Sequence, residues 1–97
     1  MNCECENLKN GQVMIIRVDS SVPEILQIPK EDTLKFFQNI VGGYIEPMSF
    51  TCKGKIMTSI VNEEGLINGL PYNELASHYV NTSVVGDVAI INPKDLT

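Results

Sequence analysis

The chain holds a single histidine, His78, four residues after Glu74. On a helix that interval sets the two side chains on one face, the arrangement an acid–base pair would use. Surface Glu/His pairs of this kind are commonly idle, so the pair is a candidate and no more. The thiols are Cys3, Cys5 and Cys52. A Cys3-x-Cys5 pair with Cys52 and His78 lacks the two-to-four-residue spacing of structural zinc pairs. An odd count closes no complete disulfide framework. Cys52 reads as a small apolar residue in a strand, Cys3 and Cys5 as part of a tail, and all three are expected to be reduced. Glu63 and Glu64 are adjacent in a polar turn and diverge. The run "VGGY" follows a helical segment and precedes a strand-like one, the reverse of a phosphate-binding loop. With no nucleophile–base pair, metal cluster or spaced carboxylates in evidence, catalysis is disfavoured. No catalytic residue, metal or cofactor is assigned.

Binding chemistry is better represented. Gly42-Gly43 lets the backbone bend sharply next to the flat ring and hydroxyl of Tyr44. The stretch "VNEEGLINGLPYN" carries Asn62, Glu63, Glu64 and, at its far end, Asn73. Gly86-Asp87 offers backbone donors or a carboxylate. Small polar groups beside an aromatic face suit a nucleotide-like or peptide ligand. Taken with His78, these ten residues are the candidate ligand contacts. Each also has a purely structural reading: glycines solve backbone geometry, Asn73 caps a helix, Asn62 closes a turn. Arg17, Lys53 and Lys55 are the candidate anion contacts. In "CKGKI" the two lysines alternate as if along one strand, and a solubilising role on a hairpin is the simpler account. The carboxylates of the polar stretch repel a bare phosphate and suit ribose hydroxyls or base amines.

The formal net charge of −5 argues against general nucleic-acid binding, which depends on Lys and Arg. It does not make the chain a nucleic-acid mimic either, because there is no dense row of carboxylates. Ninety-seven residues suffice for one domain. A core of that size buries roughly 60–70% of the unfolded surface, so a ligand site belongs at the surface or between subunits. No apolar run reaches the ~18 residues of a membrane span. The start, "MNCECENLKN", lacks the apolar stretch of a secretory signal, and a cytoplasmic location is expected. Abundant Ile, Val and Met in a small core also lead us to expect a homo-oligomer.

The elements that position these residues can be read from periodicity. "QVMIIRV" is a strand after an Asn10-Gly11 turn, and "EILQI" a second strand ended by Pro29. "EDTLKFFQNI" places Leu34, Phe37 and Ile40 at helical spacing, with acids in its first turn, and predicts a helix over 31–40 stopped by Gly42. "YIEPMSF" and "GKIMTSIV" form a hairpin whose Pro47 marks an edge strand. Asn62 to Gly65 is a type I turn with Gly65 able to enter the left-handed region, and "LING" returns as a short strand. "NELASHYV" predicts a helix over 73–80 with Leu75, Ala76 and Tyr79 inward. "SVVGDVAII" is an apolar, central last strand in which Gly86 marks a bulge or a close approach. The order β-β-α-β-β-α-β gives an α+β domain, mostly antiparallel, with two short helices.

Several of these runs recur together. "IIRVD", "IVGGYIE", "VNEEGLINGLPYNELA" and "VVGDVAII", in that order and spacing, resemble the family called domain of unknown function 3846. The resemblance covers Met14 to Asn92, so residues 1–13 are read as an extension and 14–97 as the domain. It implies a small α+β protein of bacteria, their phages or mobile elements, and brings no established activity. The leading expectation is a non-enzymatic module that binds a nucleotide-like molecule, for example a sponge that sequesters a nucleotide-derived immune signal of the host. A protein-docking module using an edge strand and a small nucleotide hydrolase using Glu74 and His78 are the alternatives.

Overall fold

The computed structural model describes residues 7–96. Its elements follow the order expected: β1 (Gln12–Ile16), β2 (Glu24–Gln27), α1 (Thr33–Val41), β3 (Ile45–Cys52), β4 (Lys55–Asn62), α2 (Glu74–Val80) and β5 (Val88–Ile91), then a 3₁₀ turn over Pro93–Leu96. The sheet runs β2-β1-β5-β4-β3, with every neighbouring pair antiparallel. The last strand joins two hairpins, and its four residues, Val88–Ile91, are all buried. A strand covered on both faces must be apolar throughout, which is why this run has no polar alternation.

One helix covers each face. Val13, Ile15, Ile60, Ala89 and Ile91 meet Phe37, Ile40 and Val41 of α1. Met14, Ile16, Met57, Val61, Val88 and Ile90 meet Ala76 and Val80 of α2, with Leu75 and Tyr79 packed at its margin. Residues two apart on a strand share a face, so β1, β4 and β5 divide cleanly between the two layers. Leu8 is buried against the second layer.

Both sheet edges are blunted by proline. Glu63 N–H donates to the Tyr44 carbonyl at 2.8 Å, so even-numbered residues of β3 aim their backbone groups at β4. Pro47 then faces outward, where no N–H is needed. At the other edge Ile28 N–H donates to the Gly11 carbonyl at 2.8 Å. The same alternation turns Pro23 and Pro29 outward at the two ends of β2 and leaves only a short edge able to pair.

Several expectations need correction. α1 begins at Thr33, so Glu31 and Asp32 precede its first turn; Asp32 is the N-cap in a left-handed conformation (φ 53°) and makes no side-chain cap. Leu34 is 57% exposed, because the buried stripe of so short a helix passes through Phe37, Ile40 and Val41. "LING" forms no strand: residues 63–69 are continuous turn, closed by Asn68 N–H to Glu64 O (2.9 Å) and Leu70 N–H to Gly65 O (2.9 Å). Gly65 is needed for space rather than for a left-handed conformation, since a Cβ there would stand 2.8 Å from Val85 Cγ2. β5 starts at Val88 rather than Ser83, because Gly86 (φ +76°) turns the chain and would bring a Cβ within 2.8 Å of Leu70 Cδ1. Lys53 is not a strand residue; with Gly54 it forms the two-residue tip of the β3–β4 hairpin, both at positive φ, the geometry that matches sheet twist. Finally, Cys52 is disulfide-bonded, not a free thiol. Cys3 and Cys5 lie outside the described residues.

Candidate functional site

Two elements meet at the C-terminal end of α1. The helix stops because Gly42 enters the left-handed region (φ 81°), and both Gly42 and Gly43 N–H groups donate to the Gln38 carbonyl, at 2.8 and 3.2 Å. Asn62, at the end of β4, closes the junction from the other side. Its Nδ2 donates to the Val41 carbonyl (3.0 Å), and its Oδ1 accepts from Glu64 N–H (2.8 Å). A Cβ on Gly43 would lie 2.9 Å from that Nδ2. Gly43 is therefore the clearance that lets Asn62 dock, and Asn62 is the tie that holds the 62–70 loop against the helix.

This scaffold shapes an open cleft of about 530 Å³. Gln38 and Asn39 form the helix wall, Gly42, Gly43 and Tyr44 the floor and one side, and Asn62, Glu64 and Asn68 the loop wall. Tyr44 is 67% exposed, a large flat ring left uncovered. No chain partner engages the side chains of Gln38, Asn39, Glu64 or Asn68 among the described residues. The cleft thus presents three free carboxamides, one carboxylate and one aromatic face, and no lysine or arginine lines it. Carboxamides both donate and accept, and an aromatic face accepts a flat ring.

The sequence model of the family described as Domain of unknown function (DUF3846) matches residues 10–96. The chain belongs to this family. No curated protein and no solved structure matches the chain.

In this DUF3846 domain the expected site residues fall into separate places. Gly42, Gly43, Tyr44, Asn62 and Glu64 come together in the cleft, whereas Glu63 is exposed outside its lining. Asn73 and His78 belong to a second, larger groove of about 1070 Å³ between α2 and the turn after β1. There Asn73 is 1% exposed and fully committed: Nδ2 donates to Ile16 O (2.9 Å) and Gly86 O (2.8 Å), and Oδ1 accepts from Ala76 N–H (3.0 Å). Ser77 likewise exchanges hydrogen bonds with the backbone of Val84. Glu74 and His78 are both exposed, and no hydrogen bond or ion pair joins them. No group of three or more His, Cys, Asp or Glu side chains is placed to hold a metal ion among the described residues.

Gly86 and Asp87 have structural work. The Asp87 carboxylate accepts from Val18 N–H (2.9 Å) and from Arg17 Nη1 (3.1 Å), while Arg17 Nε donates to Glu24 (3.1 Å). The Glu24 bond, then that of Asp87, raises the Arg17 pKa further above its ordinary value. Arg17 is thereby a clamp between two carboxylates. Lys53 and Lys55 stand at the hairpin tip, the opposite end of β3 from Tyr44 and roughly 26 Å or more away at 3.3 Å per residue. Sequence reading passed over Gln38 and Asn39. The signal was available: two adjacent polar residues, just before the Gly-Gly stop, beside the buried positions 37, 40 and 41.

Proposed function

We propose that this domain is a non-enzymatic binding module that seats a nucleoside-like molecule in the cleft at the end of α1. The observation that carries the reading is the uncovered Tyr44 ring among carboxamides that the fold leaves unbonded. A base would stack on the ring, its polar edge meeting Gln38, Asn39 and Asn68, with ribose hydroxyls within the acceptor range of Glu64. The absence of a nucleophile–base pair in the cleft supports retention over turnover. A sponge that sequesters a nucleotide-derived immune signal, in a phage or mobile element, is the biological role this chemistry suits. The exposed Ile25 and Leu26, on opposite faces of the edge strand β2, leave apolar side chains there for a homo-oligomeric contact.

The test is calorimetric titration of the full chain with adenosine, followed by chromatography of the ligand released on denaturation. Saturable binding with intact adenosine recovered is expected. Tyr44→Ala should weaken binding by about 1–3 kcal/mol, the worth of one base–aromatic stack, and leave the melting temperature unchanged. Equal binding by parent and variant would place the ligand elsewhere, and recovery of adenine or inosine would make the protein an enzyme.

A further inference from the structure

Apart from the carboxamides, which carry both signs, the groups that set the potential in the cleft are negative. Tyr44 presents the negative face of an aromatic quadrupole, 67% exposed. Glu64 supplies a carboxylate that no chain cation neutralises, since the ion pairs among the described residues both belong to Arg17. The cleft lies at the C-terminal end of α1, where the helix carries roughly half a negative charge, and the last turn of α1 holds no basic residue to offset it. The Asn39 carbonyl, in that last turn, accepts no hydrogen bond from the described residues. Lys35 stands one turn earlier on α1, outside the lining.

From this convergence we infer that the cleft selects a cationic head group, an organic cation carrying N–H donors, over a neutral or anionic one. The inference rests on the proposed binding site and specifies its ligand. Tyr44 takes the charge over its ring face. Glu64 and the Asn39 carbonyl accept the donors. In a nucleoside frame the matching ligand is one whose base is itself positively charged at neutral pH. An anionic tail, where present, would have to leave the cleft toward Lys35.

The experiment compares 1-methyladenosine, a cation at neutral pH, with adenosine, adenosine monophosphate and the aliphatic guanidine agmatine. All are titrated into the full chain at low ionic strength. The expected result is 1-methyladenosine binding at least about tenfold tighter than adenosine, with the monophosphate weakest. Glu64→Gln keeps the shape of the side chain, and its loop bonds are made by the backbone, so melting should hold while the cation's advantage falls several-fold. Added salt should erode that advantage in the parent and little in the variant. Equal binding of adenosine and 1-methyladenosine, unmoved by Glu64→Gln, overturns the cation preference and leaves the nucleoside reading standing. Agmatine binding that depends on Glu64, with neither purine bound, supports the cation preference and removes the nucleoside reading. No binding by any of the four overturns both.

Discussion

The start of α2 and the end of α1, on opposite faces of the sheet, use the same residue types to opposite effect. At the start of α2, Asn73 is buried with both its amide oxygen and nitrogen engaged, and Ser77 is bonded to the backbone of Val84. At the end of α1 only Asn62 is engaged in that way; Gln38, Asn39 and Asn68 stand around it with their side-chain amides open. A buried polar group has to be bonded, so an asparagine inside the fold reports on folding. A cluster of unbonded carboxamides beside an uncovered aromatic ring reports on something the fold itself does not require. The larger groove beside α2 keeps open polar side chains of its own, Glu74, His78, Asn81 and Thr82, and the exposed Tyr72 ring; what sets the smaller cleft apart is that three open carboxamides gather beside one uncovered ring.

The comparison breaks most visibly at Asn73. Asn73→Ala removes a helix cap and the buried Nδ2 donor that the carbonyls of Ile16 and Gly86 share. A loss of about 3 kcal/mol in unfolding free energy is expected, read from the shift of the urea midpoint. A loss below about 1 kcal/mol would mean that water or rearranged backbone replaces the side chain, and the contrast between saturated and open amides would lose its force. The corresponding change in the cleft, Asn68→Ala, falls on an exposed loop side chain and should leave the midpoint in place.

Gly43→Ala sharpens the comparison by touching both functions of the α1 junction. The added methyl would sit 2.9 Å from Asn62 Nδ2 and 3.5 Å from its Cγ. Asn62 is held by hydrogen bonds on both sides of its amide, so it cannot swing clear without breaking one. Destabilisation of about 1–2 kcal/mol is expected, together with weaker ligand binding, because the same amide anchors the loop that carries Glu64 and Asn68. A variant with parental stability and affinity would show that the loop can shift without moving the site.

Much of this architecture is legible in the sequence for a simple reason. Strand and helix periodicity is imposed by the core, and β1, α1, β4, α2 and β5 each carry the apolar pattern of the layer they face. Pro47 likewise declares an edge, because only an outward position tolerates a missing N–H. The errors lie where the pattern is set by one neighbour distant in sequence. Gly65 looks like a turn glycine, and its true constraint is Val85; at Gly86 the expected close approach, to Leu70, is found, but it comes with a positive φ that keeps the strand from starting before Val88. "LING" alternates like a strand, but it has no free strand to pair with once Asn62 and Gly65 have closed the loop. The candidate site was half legible for the same cause. Gly42, Gly43, Tyr44, Asn62 and Glu64 announce themselves by type, whereas Gln38 and Asn39 acquire meaning only when α1 brings them opposite the loop. Arg17, Lys53 and Lys55 share a charge that suggests a common role, and the fold puts the first in a two-carboxylate clamp and the others at the far hairpin tip.

The smallest expected effect is the one that closes the enzymatic alternative. Glu74 and His78 occupy one face of α2 at the spacing an acid–base pair would use, and they line the larger groove. The structure leaves them unlinked and exposed, with no third group orienting either one. A working base is held by its neighbours, and here no described residue bonds to either side chain, while two of the nearby polar groups, Asn73 and Ser77, are already bonded to the backbone. His78→Gln should therefore change stability by no more than about 0.5 kcal/mol, as for a surface position. It should leave adenosine and 1-methyladenosine affinities where they are, since the cleft at Tyr44 is built from other elements. Any turnover of a nucleoside abolished by His78→Gln would reverse the assignment of the two regions: the α2 groove would be the reactive one, and the open amides at α1 would serve a separate role.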